Sequence, residues 1–175
     1  MSSDYIYISA APEDLDKAET IRSRLREIGC DARQNPCTFG DDAWAETTQT
    51  LIEGCRVFLP VVTPAYIESL PCRREVNLAD ACRKTMMTVF WEETPLKYGM
   101  ALQLSTEQGI EKYKHQTDEG FFSALVRADC LDALRGVAQD AVSVGYFARC
   151  VLFAVTCGYV SAERLTERCN AAGKG

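Results

Sequence analysis

Residues 56–63 read RVFLPVVT. The run is apolar without alternation, so both faces of the segment must be covered by protein. An antiparallel strand with one wet face alternates, whereas a parallel strand between two helical layers does not. Two further runs share the character, YIYIS at 5–9 and TMMTVFW at 85–91. Helical stripes lie between them. Leu15, Ala18, Ile21, Leu25 and Ile28 repeat at three-and-four spacing, with Pro12 at a helix start and Gly29 at its end. Trp44, Thr48, Leu51 and Cys55 make a second stripe, for which Asp41 or Asp42 can act as cap. Cys72, Val76, Ala79 and Cys82 make a third. A weak strand at 30–34, a fifth strand at 100–104 and a helix at 121–134 complete the expected order. Strands and helices in alternation predict an α/β, three-layer fold with a central parallel sheet of about five strands. Pro60 removes a ladder donor, so a bulge or a shortened strand is expected there. In such sheets ligands bind beyond the carboxyl ends of the strands.

The chain has 175 residues, enough for one domain and an appendage. Its formal charge of −6 argues against nucleic acid and anionic membranes as partners. None of the nine cysteines forms a CxxC pair or a zinc-ligand spacing, and His115 is the only histidine. A metal centre and a histidine triad are therefore poorly supplied. Free thiols and a first segment that leads straight into a strand predict a reducing, cytoplasmic location. Residues 140–160, DAVSVGYFARCVLFAVTCGYV, are apolar nearly all round but carry Arg149 in the middle. They read as buried helix rather than as a membrane span. Residues 1–136 are thus expected to form the main domain, with residues 137–175 as a helical C-terminal extension packed on it.

Several chemistries lack their residues. The loop after the first strand, SAAPED, has neither a GxGxxG nor a GxxxxGK[ST] pattern, and the chain has no GxSxG elbow. The end of the third strand, VVTPAY, has no phospho-acceptor aspartate. Glu13 and Asp14 read as first-turn helix acids, which the helix dipole favours, over a metal-binding pair. Glu75 stands out. On a helical projection of residues 69–84 it falls on the apolar side, between Ala79 and Cys82. Two readings stay open. The carboxylate reaches water or an arginine at the edge of that face, or it lines a pocket at a strand end.

Four pieces of the chain resemble the TIR (Toll/interleukin-receptor) domain family: YISAAPED at 7–14, FGDDAW at 39–44, GCRVFLPVVTPAYIESLPCRREV at 54–76 and TVFWEETP at 88–95. The likeness covers about residues 4 to 130. It implies a flavodoxin-like fold and one of two roles. Some members cleave the nicotinamide–ribose bond of NAD, to ADP-ribose or a cyclic product, with a glutamate at the position of Glu75. Others are non-catalytic adaptors that assemble with further TIR domains in immune or stress signalling. The resemblance therefore implies Glu75 as catalytic residue, and NAD as substrate with no cofactor and no metal. It implies substrate-binding positions at Tyr7, Ser9, Ala10, Asn35, Phe39, Gly40, Trp44 and Cys72. The expected partners are NAD and other TIR domains by self-association. Three positions depart from the family: Ala10 replaces a tyrosine, Asn35 an aspartate and Pro71 a tryptophan. Tyr7, Phe39, Trp44 and Trp91 are the aromatic candidates for stacking.

Overall fold

The computed structural model describes residues 4–104, 109–131 and 134. The chain divides into two compact units, Met1–Gly136 and Val137–Gly175. Expectations for the second unit lie outside the described residues. Among those described, no helix is long and apolar enough to cross a membrane.

The strands are β1 (Tyr5–Ser9), β2 (Asp31–Arg33), β3 (Val57–Val62), β4 (Thr85–Met86), β5 (Thr88–Phe90) and β6 (Gly109–Glu111). The helices are α1 (Leu15–Glu27), α2 (Trp44–Gly54), α3 (Pro64–Glu68), α4 (Leu70–Ala81), α5 (Met100–Leu104) and α6 (Asp118–Val126). The sheet runs β2-β1-β3-β5-β6, with β4 also on β3, and every pairing is parallel. Side chains of a strand alternate between the faces, so each strand feeds two cores. Ile6, Ile8, Leu59, Val61 and Val89 pack with Ala18, Ile21 and Leu25 of α1 and Phe121 and Leu125 of α6. Tyr5, Tyr7, Phe58 and Val62 pack on the opposite face with Ile52 of α2, Cys72, Val76 and Ala79 of α4, and Met100 and Leu104 of α5. The described residues form the expected three-layer, flavodoxin-like α/β fold.

Several boundaries differ from the sequence reading. Residues 100–104 form α5, not a strand. Met100 and Leu104 are buried while Leu102 is 80% exposed. That is one helical turn, since a strand would put all three on one face. The fifth position in the sheet belongs to β6, where a Cβ on Gly109 would come within 2.9 Å of the Phe90 ring. Leu15 leaves its stripe and is 55% exposed. Neither Asp41 nor Asp42 caps α2, because Ala43 holds the cap position without a side-chain bond. Asp41 Oδ2 instead accepts the Thr38 N–H at 2.8 Å within the preceding loop. The expected helix at 121–134 starts earlier and stops sooner. Thr117 caps α6 by accepting the Gly120 N–H, and a short 3-10 turn follows at Asp129–Leu131.

Pro60 produces no bulge. Phe58 pairs with Met86 and Val61 with Val89, the same register on either side of it. The Met87 N–H donates to Phe58 O and the Trp91 N–H to Val62 O, so the even-numbered residues of β3 face this neighbour. Pro60 faces it too and has no N–H to give. One ladder bond is missing there, and the 85–91 segment divides into β4 and β5 without slipping.

The amino-terminal rim of the sheet is tightly tied. Tyr5 OH donates to Leu51 O at 2.6 Å, and a Cβ on Gly54 would meet that hydroxyl at 2.7 Å. Lys84 Nζ donates to Glu53 O and Cys55 O, at 2.6 and 3.0 Å, which satisfies carbonyls at the end of α2.

Thr88 lies next to Met87, fully buried, and its Oγ1 has no hydrogen-bond partner among the described residues. An unmatched buried hydroxyl is destabilising, so Thr88→Val should be neutral or raise stability by up to about 1 kcal/mol. Urea unfolding checks this through the midpoint at unchanged slope. A loss of stability would show that the hydroxyl has a partner after all.

Candidate functional site

β1 delivers Tyr5, Tyr7 and Ser9 to the sheet face covered by α3 and α4. The α4 helix begins where Ser69, in an extended conformation, accepts the Cys72 N–H, with Pro71 in the first turn. Its second turn then brings Glu75 against the carboxyl end of β1. Glu75 is only 7% exposed. Ser9 Oγ donates to Oε2 at 2.6 Å, and the Tyr7 hydroxyl donates to Oε1 at 3.3 Å. Ser9 Oγ also lies 2.8 Å from the Tyr66 hydroxyl. The neighbouring arginines are not involved: Arg73 stacks over the Tyr98 ring at 4.3 Å, and Arg74 is exposed. The question left open by periodicity is thereby answered. The carboxylate is buried among hydroxyls and has no cationic partner among the described residues. Burial pushes its pKa up to about 7, and the hydrogen bonds from Ser9 and Tyr7 restrain the rise.

Glu75 opens onto a cavity of about 160 Å³. Of the residues singled out in the sequence, Tyr7, Ala10, Asn35, Phe39, Trp44 and Cys72 line it. Pro71 does so as well. Two of the predicted residues differ. Ser9 is not on the wall but behind it, where it holds Glu75. Gly40 lies outside the cavity, in the loop before α2, with a φ of +106° that favours glycine and open space around its α-carbon. Trp91 is on the other face of the sheet, edge-on to Phe121 with Lys112 Nζ 4.7 Å from its ring, so it offers this cavity no stacking surface. His115 is near Phe121 on that same face.

Asn35 commits its amide to the scaffold. Nδ2 donates to Thr48 Oγ1 at 2.6 Å and to Trp44 O at 3.2 Å, while Oδ1 accepts the Cys37 N–H at 2.8 Å. These bonds pin the loop before α2 onto the helix it leads into. Phe39 packs edge-on to Trp44 at 4.9 Å and stays 47% exposed at the cavity. Burial pushes the Cys72 thiol up to about 12, which removes it as a nucleophile near neutral pH.

Sequence reasoning missed several contributors. Tyr66 reaches Glu75 through Ser9, and only its place in the matched TPAY piece hinted at a role. Leu15, whose periodicity pointed to the core, and Cys37, which carries no periodic or motif signal, also line the cavity. Asp14 is not an ordinary first-turn acid either. It is buried, accepts from Thr63 Oγ1 and pairs with Lys17, which ties the turn after β1 to the end of β3. Among the described residues no group of three or more metal-ligating side chains converges.

A family profile described as a TIR domain matches residues 6–126. The chain belongs to the TIR domain family. Solved structures of similar shape place this TIR domain in wide company. The TIR domain of the Toll-related receptor TRR-2 from Hydra magnipapillata has a TM-score of 0.58 at 18% identity, over 71% of this chain and 97% of that one. The RPS4 and RRS1 TIR domain heterodimer scores 0.55 at 16% identity, over 71% and 94%. The CMP N-glycosidase BcmB of Clostridium botulinum scores 0.52 at 14% identity, over 70% and 98%. At these identities the likeness is one of fold. No curated protein matches the chain.

The raised pKa of Glu75 has a consequence for stability. The folded state holds its proton up to about pH 7, whereas the unfolded chain releases it near 4.5. The folded state thus binds more protons in that window, so this contribution is full below pH 4.5 and is lost as pH rises through 7. At about 1.4 kcal/mol per pH unit the loss approaches roughly 3 kcal/mol by pH 8. Glu75→Gln should therefore be more stable than the native protein at pH 8, with the gap closing near pH 4.5. Paired denaturation curves at the two pH values measure it. An equal gap at both would count against the buried, unpaired carboxylate.

Proposed function

We propose that this TIR domain is an NAD glycohydrolase, which cleaves the nicotinamide–ribose bond and gives nicotinamide with ADP-ribose or a cyclic ADP-ribose product. The observation that carries the reading is Glu75, a buried carboxylate with no cation beside it among the described residues, facing a cavity at the carboxyl end of β1. Nicotinamide is bonded through a cationic ring nitrogen. When the C1′–N bond breaks, its electron pair returns to that nitrogen and nicotinamide departs neutral, without a proton donor. The sugar left behind has oxocarbenium character, as in glycoside hydrolysis. A carboxylate held in a dry site stabilises that charge. Water then attacks C1′ and gives up a proton, or an internal hydroxyl closes a ring.

The cavity suits this division of the substrate. About 160 Å³ accommodates one planar ring and part of a ribose, not a whole dinucleotide. Phe39 and Trp44 offer aromatic surface, and among the described residues Glu75 is the only charged side chain on the wall. A fold shared with a CMP N-glycosidase supports N-glycosidic chemistry in this architecture. The enzyme would act in the cytoplasm in immune or stress signalling.

The test is incubation of concentrated protein with NAD, followed by chromatography of nicotinamide and the nucleotide products. Glu75→Gln should fold and lose at least about 100-fold in kcat, since it removes the one charge aimed at the transition state. Because the ionised form is the useful one, activity should rise with pH through about 7. Full activity in a folded Glu75→Gln protein would remove the assignment.

A second reading, a signalling adaptor acting by TIR–TIR assembly, draws support from the half-exposed Phe39 beside the cavity and from a similar fold in the RPS4–RRS1 heterodimer. Phe39→Ala should weaken self-association in sedimentation and NAD cleavage together. Loss of self-association in a native chain that never cleaves NAD would favour the adaptor. No effect on either property would detach the loop from function.

A further inference from the structure

The hydrogen bonds around Glu75 are unequal, and proton counting gives them a direction. Ser9 has one hydroxyl proton and spends it on Glu75 Oε2 at 2.6 Å. In the 2.8 Å contact between Ser9 and Tyr66, Ser9 must then accept and Tyr66 must donate. Tyr66 is fully buried in α3, Ser9 is nearly so in β1, and neither lines the cavity. Oε2 therefore receives a sealed chain of two hydroxyls that run one way. Oε1 receives only the longer 3.3 Å bond from Tyr7, which shares the cavity wall with Glu75.

We propose that Tyr66 and Ser9 are positioning residues that lock Oε2 of Glu75 as an acceptor, leaving Oε1 as the oxygen that meets the ribose. The choice of ribose as the group met by Oε1 rests on the glycohydrolase reading, and the lock on Oε2 does not. Protonation at Oε2 would force Ser9 to reverse onto Tyr66, whose own proton has no other acceptor among the described residues. The chain thus opposes a proton at Oε2 and favours the ionised carboxylate. Reaction geometry benefits as well. With one oxygen fixed, the carboxyl plane cannot swing when the substrate enters, and the short 2.6 Å bond survives while the weak one is exchanged for a ribose hydroxyl.

Other titratable groups do not confuse this assignment. Facing Glu75 are Tyr7 from β1, Tyr66 from α3 and Cys72 from its own helix. Burial raises the pKa of all three, Cys72 up to about 12 and both tyrosines well above their ordinary value, so none ionises near neutrality. From α2, the neighbouring Thr48 does not titrate and accepts from Asn35 Nδ2. The nearby Asp14 is engaged by Thr63 and Lys17.

The test reads the Glu75 carboxyl directly, by carbon NMR of protein labelled at the glutamate carboxyl, with Glu75→Gln assigning the signal. Ser9→Ala should move its titration midpoint up by about one pH unit, and Tyr66→Phe by about half as much. Because Tyr66 acts only through Ser9, the double variant should match Ser9→Ala alone. An unmoved midpoint in folded Tyr66→Phe, or two additive shifts, would overturn the lock. NAD cleavage supplies the second readout. At pH 7 Ser9→Ala should lose about five-fold in kcat and recover by pH 9 as the carboxyl ionises. A constant loss at every pH would reduce Ser9 to a structural part and overturn the proposal. Moved midpoints in a protein that cleaves no NAD would support the lock and remove the glycohydrolase reading alone.

Discussion

All six residues of β3, Val57–Val62, are buried, and both edges of the strand are paired. Each face of the sheet holds its own apolar core, and β3 contributes to both. A strand in that position cannot tolerate a slip, because one residue of shift would exchange the two sets of side chains. The register therefore holds through Pro60 despite the lost donor. The same register fixes where β1 ends, since Ser9 pairs with Pro60. Ser9 in turn fixes Glu75. The position of the candidate catalytic group is thus a consequence of how the central strand is buried.

Glu75 itself is held in an environment that opposes its charge. Desolvation is the largest influence on it, and two hydroxyls only partly offset that. A core glutamate serving stability alone would be better replaced by an apolar residue or paired with an arginine. Arg73 is two residues away on α4, yet it lies over Tyr98. Among the described residues no positive charge stands beside the carboxylate, so its burial goes uncompensated by an ion pair.

The sheet, its parallel sense and most of its helices were legible because burial on two faces leaves continuous apolar runs. Glu75 was legible as an anomaly in a helical stripe and as a position in a family pattern. What the sequence did not disclose follows from contacts distant in the chain. MALQL fits a short strand or one helical turn equally well, and only the burial of Met100 and Leu104 with Leu102 exposed decides it. The role of Tyr66 depends on a hydroxyl that meets Ser9 across 57 positions. Trp91 was indistinguishable from Trp44 by residue type, but strand alternation sent it to the opposite face. Asp41 resembled a cap, yet its carboxylate was taken by a closer loop amide, which leaves α2 to start at Trp44 without one.

The two rims of the sheet differ in kind. At the amino-terminal rim, Tyr5, Gly54 and Lys84 are joined through backbone carbonyls and a contact with no room for a Cβ. At the carboxyl rim the interactions around Glu75 are made by side chains, so each can be exchanged without moving the main chain. Mutational drift should therefore fall unevenly. The side chains around Glu75 can accept substitution, while the amino-terminal rim keeps the scaffold standing. A fold divided in this way can change what its cavity accommodates faster than it can change its shape.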